Sequence, residues 1–165
     1  MPRHHSTLRE GVIAGVIGAT SVAIWFLFVD ILIHNPLYTP RVLGEALWSV
    51  FGPVREGTAV FVIVYTVFHY VAFCIVGIIA AVIVHASDEQ PAVLAGGLVM
   101  FVVLEMGFYG LASILNNFLP LEGLAWYQVA VGNLISAFLM GLYFYRTHPS
   151  LKGELQRALD GTDDR

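Results

Sequence analysis

Four stretches of this chain are so long and so uniformly apolar that they decide its architecture before any motif is considered. They run over about 12–33, 59–84, 92–115 and 124–145. A helix crosses the hydrocarbon core of a bilayer with about 20 largely apolar residues, and each stretch reaches that length. Together they take more than half of the chain, which leaves little for a soluble domain.

Composition agrees. Of 165 residues, 58% are hydrophobic and 12% charged, against about 45–50% and 25% in soluble domains. The mean hydropathy is +0.77. A disordered chain, a basic nucleic-acid binder and nearly all soluble enzymes of this size are excluded. The net charge of −4 is too mild to imply a charged partner, and the single cysteine, Cys74, rules out an intramolecular disulfide. The expected fold is an all-α integral membrane protein. Residues 1–165 form one membrane domain: a four-transmembrane-helix bundle, a short amphipathic interfacial helix between the first two spans, and a tail over 146–165.

The first span follows Arg3 and Arg9, as a secretory signal would, but its apolar run is too long. No small-x-small cleavage site precedes His34-Asn35-Pro36, so a retained helix is expected. Arg3, Arg9, Arg146, Lys152, Arg157 and Arg165 fall on one side of a four-span topology, and Arg41 and Arg55 on the other. That asymmetry predicts both termini in the cytoplasm. The layout resembles that of small four-span bacterial membrane proteins, which implies the bacterial cytoplasmic membrane as the location.

The long first connection carries Thr39-Pro40, an expected N-cap followed by proline at the first helical position. Over 40–51, and on to Val54, Leu43, Leu47, Val50 and Phe51 fall opposite Arg41, Glu45 and Ser49. This pattern predicts a helix lying in the outer interface, with Tyr38 and Trp48 at headgroup depth, serving as a connector or as a lid over the bundle.

Lipid gives apolar helices no reason to associate, so small residues that admit close approach mark packing faces. The first span carries Gly11, Gly15, Ala19 and Ala23 at four-residue spacing, with Gly18 beside them. Such a stripe seats either a neighbouring helix of the same chain or a second subunit.

An ionisable side chain at the centre of a spanning helix costs about 2.5–3.5 kcal/mol, so such residues face the bundle interior. Asp30, His69 and Glu105 are the exceptions here, with polar companions His34, Tyr65 and Tyr109 four residues away on their own helices, and Asn133 at similar depth on the last span. If these faces converge, a polar column descends from the outer mouth to Glu105 near the midplane and stops there. Half a path does not make a channel or pump. The column is either a satisfied hydrogen-bond network or the polar floor of an outward-facing pocket for a small amphiphile, a lipid or a quinone.

A metal or haem site is not expected. His69 is the one deep histidine, His34 and His85 are each about 20 Å or more away along the axis, and neither HExxH nor Glu-x-x-His occurs. No nucleophile motif, P-loop or dinucleotide fingerprint is present, so no catalytic residues are assigned. The leading expectation is therefore a non-catalytic subunit or assembly protein of a larger membrane complex. It would bind a protein partner or a second copy through the first helix, with no nucleic acid. The alternative is a binder or carrier of a small amphiphile around His69 and Glu105.

Overall fold

The computed structural model of the chain describes residues 7–49, 57–87 and 126–148. These form four helices, α1 (Thr7–Leu32), α2 (Tyr38–Ser49), α3 (Thr58–Ser87) and α4 (Trp126–Thr147), and no strand occurs among them. α1, α3 and α4 are each long and apolar enough to cross a membrane. The expected span over 92–115, with Glu105 and Tyr109, and the tail beyond 148 lie outside the described residues.

α1 is apolar all round, so hydrophobicity alone does not choose its buried face. Residue size does. Gly11, Ala14, Gly15, Gly18, Val22, Phe26 and Val29 are buried at helical spacing, while Ile24, Phe28 and Ile31 on other faces are more than half exposed. α1 is the central element: it packs on α3 and α4, and α2 packs on α3.

The α1–α3 contact is made backbone to backbone. A Cβ at Gly15 would collide with the main chain of Phe73 and Cys74, one at Gly11 with Ile78, and one at Gly77 with both Gly11 and Gly15. The small-residue stripe is thus occupied inside the chain. Gly18 faces Phe73, and also Ser136 and Met140 of α4. Ala19 is fully buried, and Ala23 is exposed along a cavity described below. Larger side chains fill the space on either side of this seam. Ala14, Ala81, Val84, Met140 and Phe144 form one cluster, and Val22, Phe26 and Val129 a second.

α1 ends in a Schellman arrangement. The Asn35 N–H donates to the Asp30 carbonyl and the His34 N–H to the Ile31 carbonyl, both at 3.0 Å. His34 takes the left-handed position with φ 58°. A turn follows, closed by the Tyr38 N–H on the Asn35 carbonyl at 3.1 Å. It has Pro36 and Leu37 at its corners, and Leu37 stands at φ 68°. Proline followed by a residue of positive φ is the type II pattern.

Helix boundaries differ from the sequence expectation for physical reasons. α1 and α3 run past their apolar stretches, because the backbone ladder continues through Thr7–Glu10 and through His85–Ser87 after the apolar count has stopped. α2 begins at Tyr38, so Thr39 is not its N-cap; the Arg41 N–H donates to the Leu37 carbonyl at 3.1 Å. Nor does the Leu43–Leu47 line make the deepest contact. Thr39, Gly44 and Ala46 are the buried residues of α2, and Gly44 lies directly on the α3 backbone at Phe61. A small residue wins here because it lets the helix lie flat against its neighbour.

Adding side-chain volume at the α1–α3 seam should be costly. Gly15→Val is expected to destabilise the protein by about 1–3 kcal/mol, the range for overpacking a filled site. At Gly141 a Cβ meets nothing within 4 Å, so Gly141→Ala should be neutral or gain up to about 1 kcal/mol from helix propensity. Helical circular dichroism followed through an SDS titration in detergent measures both.

Candidate functional site

Where α1 gives way to α2, a buried carboxylate ties the two together. Asp30, in the last turn of α1, is 1% exposed. Its Oδ2 accepts the Thr39 N–H at 2.9 Å and its Oδ1 accepts the Thr39 hydroxyl at 2.7 Å. The Thr39 N–H belongs to the first turn of α2, where helix donors have no intrahelical partner, and the positive end of the α2 dipole favours an anion at this point. Asp30 therefore caps α2 from another helix. His34, its expected companion, is exposed and holds the turn instead.

Beneath this anchor lies a cavity of about 310 Å³ between α1, α2 and α3. Leu37, Thr39 and Pro40 close one end, Phe26, Leu27 and Val62 line its walls, and Tyr65, His69 and Tyr70 of α3 face Thr20 and Ala23 of α1. The wall is mainly apolar and carries a few polar groups, as small-molecule sites do, and the volume is at the lower end of their range.

Most of those polar groups already have partners. Thr20 and Tyr70 share a hydrogen bond at 3.0 Å between α1 and α3. His69 is buried, with Nε2 3.0 Å from the Ala19 carbonyl. A carbonyl only accepts, so Nε2 carries the proton and the neutral ring keeps Nδ1 as an acceptor. Tyr65 stacks on the same ring, with centroids 5.5 Å apart and planes inclined by 28°, and Phe73 approaches it at 4.7 Å. The Tyr65 hydroxyl makes no hydrogen bond among the described residues, which leaves its donor available along the cavity wall.

The structure thus brings Asp30, Tyr65 and His69 to one cavity and leaves His34 outside it. Asn133 is half-buried on α4 and is not part of the wall. Glu105 and Tyr109 lie outside the described residues, and among the described residues the expected column comprises Asp30, Tyr65 and His69. Of the aromatics on α1, Phe26 lines the cavity, while Trp25 turns to α4 and donates its indole N–H to the Gln128 carbonyl at 2.8 Å.

A second cluster, not anticipated from the sequence, occupies the opposite end of the helices. Glu10 is 3% exposed. Its Oε2 is 3.6 Å from Nε2 of His85 on α3 and 3.4 Å from Nε2 of His148 just past α4. The apolar stretch starting near residue 12 assigns Glu10 to a solvated tail. Helical phase gives the better signal, since Glu10 is in line with Ala14 and Gly18 on the buried face.

No protein-family model, curated protein or solved structure matches this chain.

Removing the α2 anchor should expose its role. Asp30→Ala strands two buried donors on Thr39, at about 1–3 kcal/mol. Amide exchange in the first turn of α2 is expected to accelerate roughly tenfold or more in hydrogen–deuterium exchange, with Asp30→Asn, which keeps one acceptor oxygen, falling between. Equal exchange in Asp30→Ala and the parent protein would show that α2 is held by other contacts.

Proposed function

We propose that the protein is an integral membrane protein that binds or carries a small neutral amphiphile in the cavity between α1, α2 and α3. The observation that carries this reading is the cavity itself: about 310 Å³, mainly apolar, roofed by a helix that a buried carboxylate holds in place. The apolar body of the ligand fits against Phe26, Leu27 and Val62. Its hydrogen-bonding group meets the Tyr65 hydroxyl as donor and His69 Nδ1 as acceptor. A lipid hydroxyl with its first acyl carbons and a quinol ring both have this chemistry, and a quinone carbonyl takes the Tyr65 bond alone.

Membrane embedding is supported by three long apolar helices and by where their large side chains point. Leu134 and Phe138 on α4 are both 68% exposed, and Ile63 and Val67 on α3 and Ile24 on α1 are 60% exposed or more. Water does not tolerate apolar surface on this scale over three helices. With the 92–115 stretch as the fourth span, both termini belong in the cytoplasm by the distribution of Lys and Arg, and α2 lies at the outer interface. The cavity then opens at the depth where amphiphile headgroups sit.

A subunit role through the α1 stripe has less behind it, because Gly11, Gly15, Gly18 and Ala19 are already covered by α3 and α4.

Photo-crosslinking the purified protein in nanodiscs with a diazirine-bearing monoacylglycerol and with an azido-quinone, followed by peptide mapping, tests the proposal and separates the two ligand sources. Label is expected on cavity residues of α1 and α3. Ala23→Trp should lower it at least tenfold by filling the space. Tyr65→Phe should weaken binding by about 1 kcal/mol, roughly fivefold, for one lost hydrogen bond. Phe138→Ala on the exposed face of α4 should leave it unchanged. Label spread evenly over exposed helix faces, and insensitive to Ala23→Trp, would refute the pocket.

A further inference from the structure

The end of the molecule away from the cavity holds three side chains whose chemistry is left unexplained by amphiphile binding. Glu10 of α1, His85 of α3 and His148 at the end of α4 present donor atoms that all lie within 4.8 Å of one another. Three separate elements converge on this point, so their meeting is a product of the tertiary fold.

Proton positions make the cluster more specific. His85 Nδ1 is 2.8 Å from the Ala81 carbonyl, which can only accept, so Nδ1 carries the hydrogen. The Thr147 hydroxyl shares its single hydrogen between the carbonyls of Tyr143 and Phe144, at 3.0 and 3.2 Å. Its oxygen therefore accepts from His148 Nδ1, 3.1 Å away. Both imidazoles are oriented through Nδ1, and both bring Nε2, which holds a lone pair in the neutral ring, to within 3.6 Å of the same carboxylate oxygen. Lone pairs facing a carboxylate repel unless something positive stands between them.

Two protons or one metal ion would serve, and the distances favour the ion. The separations of 3.6 and 3.4 Å from Glu10 Oε2 are longer than charge-assisted hydrogen bonds, which run at about 2.7–2.9 Å. Donors bound at about 2.0–2.1 Å in a tetrahedron are about 3.3 Å apart, close to the two separations from Glu10 Oε2, and the two histidine donors lie within 4.8 Å of each other. Two histidines and one carboxylate form a known zinc ligand set that keeps a fourth position open. The Nδ1 hydrogen bonds to a backbone carbonyl and to a hydroxyl are the outer-shell supports that metal-binding histidines use.

We propose that Glu10, His85 and His148 bind a divalent transition-metal ion of the zinc type, which ties together the ends of α1, α3 and α4. Ligation through Nε2 needs both rings neutral and the carboxylate ionised, and one dication replaces the repulsion among these acceptors with three attractive bonds.

Full-length protein without a polyhistidine tag, stripped with EDTA in mild detergent, tests this by equilibrium dialysis against Zn²⁺ and by Co²⁺ titration. The expected result is one Zn²⁺ per chain, intense visible ligand-field bands from tetrahedral Co²⁺, and a higher melting temperature with metal. His148→Ala should weaken Zn²⁺ binding more than about 100-fold, beyond the 10–100-fold typical of outer-shell changes; Thr147→Val should cost about tenfold. The doublet His4→Ala/His5→Ala, which removes the one pair of consecutive histidines in the sequence, should bind as the parent does. Parent protein that is folded by circular dichroism yet retains no zinc and develops no cobalt bands would overturn the proposal. So would binding that survives His148→Ala or disappears with the His4/His5 change.

Discussion

The backbone contact between α1 and α3 sets the geometry of everything described here. Gly11, Gly15 and Gly77 let two antiparallel helices approach until main chain meets main chain. At that distance an imidazole on α3 reaches a carbonyl on α1, as His69 does to Ala19, and a tyrosine reaches a threonine, as Tyr70 does to Thr20. With valine or leucine at the glycine positions the helices would stand apart, and these short bonds would open. Polar groups between apolar helices are stable only when satisfied, so the glycine seam and the hydrogen bonds support each other.

Two regions of different character follow at the ends of the seam. At the end near His34, the larger side chains diverge from the glycines and α2 folds over the gap, which leaves a cavity. At the other end, side-chain direction takes over. Side chains lean toward the N-terminus of their own helix, so Glu10 leans outward along α1 while His85 leans back toward the seam along antiparallel α3. Residues that are not opposite each other by backbone position are thereby brought together. His148 completes the group from the end of α4, itself held by its N–H on the Phe144 carbonyl at 2.9 Å.

The two ends also use carboxylates differently. Asp30 is short and buried beside a helix N-terminus, where two donors of one threonine occupy both its oxygens; its role is to fix a roof. Glu10 has a longer side chain and faces imidazole nitrogens, which exchange protons and bind metals. Both are acidic residues inside or beside an apolar helix. The sequence marks Asp30 as anomalous because it lies within an apolar run, whereas Glu10 sits at the margin and passes for a solvated charge.

Several features were legible without coordinates. Apolar runs of about 20 residues identify α1, α3 and α4 because backbone polar groups in such runs must be satisfied within a helix. The rarity of ionisable groups there singled out Asp30 and His69, and small residues at four-residue spacing marked the contact face of α1. What the sequence could not determine is which small-residue face meets which helix, since glycine faces are interchangeable until backbones are placed. Nor could it show that Asp30 would choose Thr39 over His34, because a left-handed turn at His34 and Leu37 reverses the chain and brings Thr39 back onto the carboxylate. The meeting of Glu10, His85 and His148, far apart in the chain, was decided by tertiary structure alone. It depends on the phase and tilt of three helices, and no local pattern records those.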